Sequence, residues 1–339
     1  MTWEWQVAIY LWLAGLGGGA YFTAFLTDRL SGGKHEEWVR IATYLGVPAV
    51  LLGSLLLVTD LGERFRAWHL FVGLSPSSWQ VISTSGAASL RTWPPFLNLY
   101  PISPMSLGSW ILLIWSVIGV ALIALWFAKA FESVGEETNL FSTVASALRP
   151  FLPALNALKW IVFVLSVLLI AYTGVLLSAT NKGLWANALP LPALFVASAI
   201  STGIATILII MSTAIGPALR TLLGQVGEAT TGETVVTLGK ADAVVMVIEV
   251  VALALYVLWI GLLSGPAGAQ AIGVLLSGSL ALPFWGGVVV LGLLIPLALE
   301  ASVLRTRKEP PAIVLVASAL CVLLSGFILR MVVVIGGQL

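Results

Sequence analysis

The sequence predicts an all-α integral membrane protein with eight transmembrane helices, and three observations predict it. Hydrophobic residues make up 59% of the 339 positions and charged residues only 9%, against about a quarter charged in soluble domains. The apolar residues gather in eight runs, each near the roughly 20 residues a helix needs to cross a bilayer core. The runs are too long and continuous for barrel strands, and lipid forces backbone groups to pair within the segment, so helices are required.

The expected spans cover about 5–27, 39–59, 107–130, 157–179, 191–215, 243–264, 284–304 and 312–335. The first has no cation before Arg29, which disfavours a cleaved leader with a basic start. It contains Gly15-Leu16-Gly17-Gly18-Gly19-Ala20. A dinucleotide-binding turn would need a preceding strand, so this run reads as a face on which another helix approaches closely through Gly15 and Gly19. All 339 residues read as one polytopic domain. Eight helices can divide into two four-helix bundles, about 1–180 and 190–339.

Lys and Arg in the connections set the orientation. Eleven lie in the connections after the odd-numbered spans or at the adjoining helix ends: Arg29, Lys34, Arg40, Lys129, Arg149, Lys159, Arg220, Lys240, Arg305, Arg307 and Lys308. Four follow spans two, four and six, namely Arg64, Arg66, Arg91 and Lys182. Both termini are therefore expected on the outer, periplasmic side. The outward connection over 60–106 is rich in Trp, Phe and Tyr among Ser, Pro and Gly. It reads either as an interfacial aromatic belt or as a docking surface or lid, since long loops are commonly functional.

Several chemistries are excluded or disfavoured. Lys and Arg (16) balance Asp and Glu (15), so no nucleic-acid partner is expected. One cysteine, Cys321, cannot supply an iron–sulfur cluster. Two histidines, His35 and His69, leave no pair to hold a haem across two helices. Neither haem nor metal is expected in this chain. No phosphate loop or zinc-type histidine pair occurs.

Candidate chemistry lies at the outer end of the first four spans. Asp60, Glu63, Arg64 and His69 end the second run. If the helix continues, Asp60 and Arg64 share a face, either as a helix-ending ion pair or as a proton-accepting carboxylate beside a histidine suited to proton exchange. Tyr172 lies a few turns below the end of the fourth span and Tyr10 in the outer half of the first. Each either reaches toward water or offers a donor in an apolar pocket. In the second half, Glu249, Glu300 and Arg330 fall inside apolar runs, where ionisable groups default to a functional role or a partner. Glu249 is about two turns inside its span, whereas Glu300 can reach the inner surface and Arg305. A proton path through the three is one reading.

Ordered along the chain, these segments resemble the NrfD/PsrC-like family, the membrane subunits of polysulfide-reductase-type respiratory complexes. The resemblance rests on Tyr10-Leu-Trp-Leu-Ala-Gly-Leu-Gly-Gly-Gly-Ala-Tyr21, on Asp60-Leu-Gly with Arg64, Phe65 and His69, and on Ser103-Pro-Met-Ser-Leu-Gly-Ser-Trp110. It continues through Tyr172-Thr-Gly-Val-Leu-Leu-Ser-Ala179, Ala199-Ile-Ser-Thr-Gly203 and Ser325-Gly-Phe-Ile-Leu-Arg330 to Gly337-Gln338. It implies a subunit of a quinone-linked oxidoreductase in a bacterial or archaeal inner membrane. Menaquinone or ubiquinone would be its substrate, bound by the first half at Tyr10, Asp60, Arg64, His69 and Tyr172, with Asp60, His69 and Tyr172 in the chemical roles. The implied partners are a four-cluster ferredoxin-like iron–sulfur subunit, a molybdopterin or multihaem catalytic subunit, and membrane lipid. Tyr10 occupies a position where some relatives carry a histidine.

Two other classes compete. A secondary transporter would show broken helices and midplane charges, and Pro and Gly do interrupt some spans. A passive anchor would hold a catalytic partner at the membrane and leave Asp60, His69 and Tyr172 replaceable.

Overall fold

The computed structural model describes residues 5–60, 67–68, 70–72, 103–131, 140–179, 183–185, 188–213, 232–306 and 311–338. Arg64 and His69 lie outside the described residues, as does most of the aromatic-rich connection. The described residues form helices and no β-strand. In chain order these are α1 (Trp5–Leu30), α2 (Glu36–Asp60), α3 (Pro104–Phe131), the short α4 (Leu140–Leu148) and α5 (Leu155–Ser178). There follow α6 (Pro190–Ser212), α7 (Gly232–Leu263), α8 (Gly265–Leu276), a π-helical segment (Pro283–Leu294), α9 (Ile295–Thr306) and α10 (Ala312–Gly336). Among the described residues, eight helical stretches are long and apolar enough to cross a membrane, as expected of a multi-pass membrane protein.

Three elements differ from the hydropathy expectation. The sixth span starts at Gly232 instead of near 243, because Lys240 and Asp242 lower the local hydropathy without interrupting the helix. The fourth is approached through a 3-10 turn, Arg149–Ala154, where Pro150 and Pro153 each remove a backbone donor. The seventh begins as a π-helix, a rare form often found at functional sites. Its wider turn leaves no trace in an apolar sequence. Gly287 and Gly292 admit Ile328 and Ser325 of α10 against its backbone.

The glycine run explains the position of α1, which packs on α2, α5, α6 and α10. Each glycine meets a different neighbour: Gly17 faces the Gly46 carbonyl of α2, Gly18 faces Ile170 of α5, and Gly19 faces the Ala199 carbonyl of α6. Gly15 lies under the guanidinium of Arg330 on α10. In lipid, helices associate through close packing and small residues more than through the hydrophobic effect. The run therefore builds a central helix that several others touch, in place of the single face expected from Gly15 and Gly19.

Three buried aromatic polar tips are tied to other elements, the usual arrangement for buried Trp and Tyr. Trp115 donates to Ser166 Oγ at 2.8 Å, Tyr21 to the Lys159 carbonyl at 3.0 Å and Tyr256 to the Leu184 carbonyl at 2.9 Å. At the end of α2 away from Asp60, Glu36 accepts from Lys129 at 2.9 Å and Lys159 at 2.8 Å, riveting α2, α3 and α5.

Candidate functional site

Between α1, α2, α3 and α5 lies a cavity of about 320 Å³. Its walls are mostly apolar, from Val7, Leu51, Leu57, Val58, Leu112, Leu113 and Leu176, with Ala67, Leu70 and Phe71 completing the lining. Tyr10, Tyr172, Asp60, Ser54, Ser109 and Ser116 add polar atoms. The Ser54 hydroxyl donates to the Val50 carbonyl at 2.7 Å and Ser109 to the Ser106 carbonyl at 2.9 Å. Their protons are thus committed to the helix backbone, and only their oxygens face the cavity as acceptors.

Tyr10 is fully buried and Tyr172 is 8% exposed. α1 and α5 bring the two phenols together from residues more than 160 apart in sequence, so that their hydroxyls interact. The Tyr10 oxygen nevertheless has no hydrogen-bond partner of good geometry among the described residues. A buried hydroxyl in that condition is costly unless something else satisfies it. Asp60, at the last residue of α2, is partly exposed and lines the same space. The structure therefore brings together three of the five residues read from the sequence for this site, Tyr10, Asp60 and Tyr172; Arg64 and His69 lie outside the described residues.

A second polar cluster threads α6, α7, α9 and α10. Arg330 is fully buried; its Nη1 donates to the Gly326 carbonyl at 2.7 Å and to Ser198 Oγ at 3.2 Å, and its Nε to the Leu11 carbonyl at 3.2 Å. Ser198 also bonds Glu249, whose carboxylate interacts electrostatically with Arg330. Two turns away along α7, Asp242 accepts from Ser201 at 2.8 Å and hydrogen-bonds Glu300 of α9. Glu300 is thus turned inward, where the sequence suggested a reach to the surface and Arg305. Asp242, Ser198 and Ser201 were missed. Asp242 fell just outside the expected span, and serines in apolar helices carry no pattern that marks them. The signal for Asp242 was its spacing of seven residues from Glu249, two turns on one face.

The geometry amounts to an apolar cavity with a pair of phenols and a carboxylate, backed by a chain of buried ionisable groups. The family profile described as polysulphide reductase, NrfD, matches residues 1–339, the whole chain. The C subunit of polysulfide reductase from Wolinella succinogenes is 29% identical over all of this chain and 95% of its own length. Protein NrfD of Escherichia coli is also 29% identical, over all of this chain and 96% of its length. With its eight candidate spans and this end-to-end match, the chain belongs to the polysulphide reductase NrfD family.

Proposed function

We propose that this chain is the quinone-reactive membrane subunit of a respiratory oxidoreductase complex, exchanging electrons between the menaquinone or ubiquinone pool and a docked iron–sulfur subunit. The observation that carries the reading is the cavity in which the Tyr10 and Tyr172 hydroxyls converge beside Asp60. A quinone head group is planar and apolar except for two carbonyl oxygens. It needs an apolar slot and one or two donors, which is what this cavity offers. At about 320 Å³ the space sits at the small end of ligand sites, roughly 300–1,000 Å³, adequate for a head group whose tail lies in lipid.

In this reading the phenols hold one oxygen of the head group. Quinol oxidation releases two protons and two electrons. Asp60 accepts protons at the cavity mouth, in exchange with His69, and electrons pass to the nearest cluster of the partner. Quinone reduction runs the same steps in reverse. The excess of cations on the connections after odd-numbered spans supports an outward-facing site with both termini outside, where a ferredoxin-like partner and its molybdopterin or multihaem catalytic subunit would dock. The names of the two relatives, one of them part of a polysulfide reductase, support a place in a multi-subunit complex.

A second role is favoured by one further observation. The polar chain from Arg330 through Ser198 and Glu249 to Asp242 and Glu300 runs across α10, α6, α7 and α9. A hydrogen bond between two carboxyl groups holds a proton on one of them, so Asp242 and Glu300 suit a way-station for proton transfer through the second half. A secondary transporter and a passive anchor are the competing classes, and neither uses the phenol pair.

The deciding experiment is titration of the purified chain with a fluorescent hydroxyquinoline N-oxide, a quinol analogue. Wild type should bind it saturably, and Tyr172→Phe should weaken binding roughly five- to tenfold, the worth of one hydrogen bond. Absence of binding by folded wild-type chain would favour the passive anchor.

A further inference from the structure

Gly108 occupies an unusual place in α3. Glycine is disfavoured inside a helix relative to alanine, so a helical glycine points to something that occupies the space of a side chain. At Gly19 and Gly203 that something is the backbone of a crossing helix. At Gly108 it is a side chain: a Cβ there would overlap the Tyr172 ring at Cε2, Cζ and Cδ2. The hydroxyl-bearing edge of the ring lies directly on the bare Cα of α3. The next residue, Ser109, and Leu112 one turn on both line the cavity, so the ring crosses from α5 to the cavity over this one gap.

Three consequences follow from packing alone. The ring cannot tilt further toward α3, because backbone is already there. It reaches Tyr10 on the far wall only because α3 presents no side chain at this position. Any side chain at 108 would push Cζ, and with it the hydroxyl, by roughly an ångström or more.

We propose that Gly108 is a positioning residue for the quinone site, acting through Tyr172 by setting where its hydroxyl meets the head group. This rests on the quinone reading above. It touches neither substrate nor Tyr10 and contributes no chemical group. Misplacement by about 1 Å of a group that orients substrate can cost up to roughly a hundredfold in rate, so the glycine should matter as much as the hydroxyl it places.

The test is a double-mutant cycle on the full-length chain, read by hydroxyquinoline N-oxide affinity and by thermal melting in detergent. Gly108→Ala should weaken binding at least as much as Tyr172→Phe. In a Tyr172→Leu background, where no ring fills the gap, Gly108→Ala should change affinity less than about twofold. That loss of effect is what a role in helix spacing alone would not produce. A Gly108→Ala chain that binds like wild type, while Tyr172→Phe binds weakly, overturns the proposal and leaves the quinone reading standing. Wild type that binds nothing removes both. If Gly108→Ala fails to fold, recovery of folding in Gly108→Ala/Tyr172→Leu supports the ring contact. Failure of the double variant as well shows that the glycine serves helix packing, and overturns the proposal.

Discussion

The two polar regions of this membrane domain solve the same problem in opposite ways. In the first half, the Tyr10 hydroxyl is buried without a well-formed partner beside a cavity of about 320 Å³. In the second half, Arg330, Glu249, Asp242 and Glu300 are at most 9% exposed and spend most of their polar atoms on one another and on Ser198 and Ser201. Lipid supplies no hydrogen bonds, so each buried polar group must find a partner inside the protein or in a ligand. Each half keeps a buried atom without a hydrogen-bond partner of good geometry among the described residues, the Tyr10 hydroxyl in the first and Arg330 Nη2 and Glu300 Oε2 in the second. What separates them is space: a cavity opens in front of Tyr10, giving a ligand room, whereas the charged groups of the second half pack against one another, as in a strut or a relay.

The largest effect is expected at Arg330. Arg330→Met keeps much of the volume but removes the hydrogen bonds that the guanidinium donates to the Gly326 and Leu11 carbonyls and to Ser198 Oγ. Hydrogen bonds to a charged group contribute about 1.5–3 kcal/mol each, so this variant should melt far below wild type or fail to assemble. A melting temperature near the wild-type value would show that these bonds carry little of the stability. Glu249→Gln is gentler, since an amide still bonds Ser198. The fold and inhibitor binding should survive within about twofold, the sites being separate. Proton movement per quinol oxidised by the reconstituted complex, followed with a pH dye inside vesicles, should fall to the two protons that quinol oxidation itself releases. Unchanged proton movement would make the cluster a strut.

In the first half, Tyr10→Phe tests the role of the poorly partnered hydroxyl. Because its hydroxyl lacks a good partner, removing it should leave stability within about 0.5 kcal/mol of wild type, while inhibitor affinity drops roughly fivefold. A large loss of stability with full affinity would mean that the hydroxyl is structural. The smallest effect is expected at the opposite end of α2, in Lys129→Gln. Lys129 and Glu36 are about two-fifths exposed, and exposed ion pairs contribute under about 1 kcal/mol; chemical denaturation should barely move, because the buried Lys159 keeps Glu36 as its anion. A loss above about 1 kcal/mol would show that Lys129 does more than hold this exposed pair.

Much of the candidate site was legible in the sequence. Tyr10, Asp60 and Tyr172 stood out as polar residues near the ends of apolar runs, and they line one cavity. Glu249 and Arg330 stood out because charge in hydrocarbon is rare, and the two interact electrostatically. Asp242 was hidden by a boundary effect: its own charge helped to end the apolar window at its door. Gly108 was hidden because one helical glycine looks like another until the ring lying on it is seen.

By itself the sequence determined the class and the count of spans. Both depend on local physics: bilayer thickness sets the length of an apolar run, and the absence of water forces each run into a helix. Tertiary structure alone decided which faces meet. Helices that are apolar all round have no polar side to turn away from the core, so their sequence does not say which stripe packs. Whether the glycines of α1 served one neighbour or four, whether Glu300 reached for the surface or for Asp242, and whether the two phenols shared a cavity depended on close packing between residues distant in the chain.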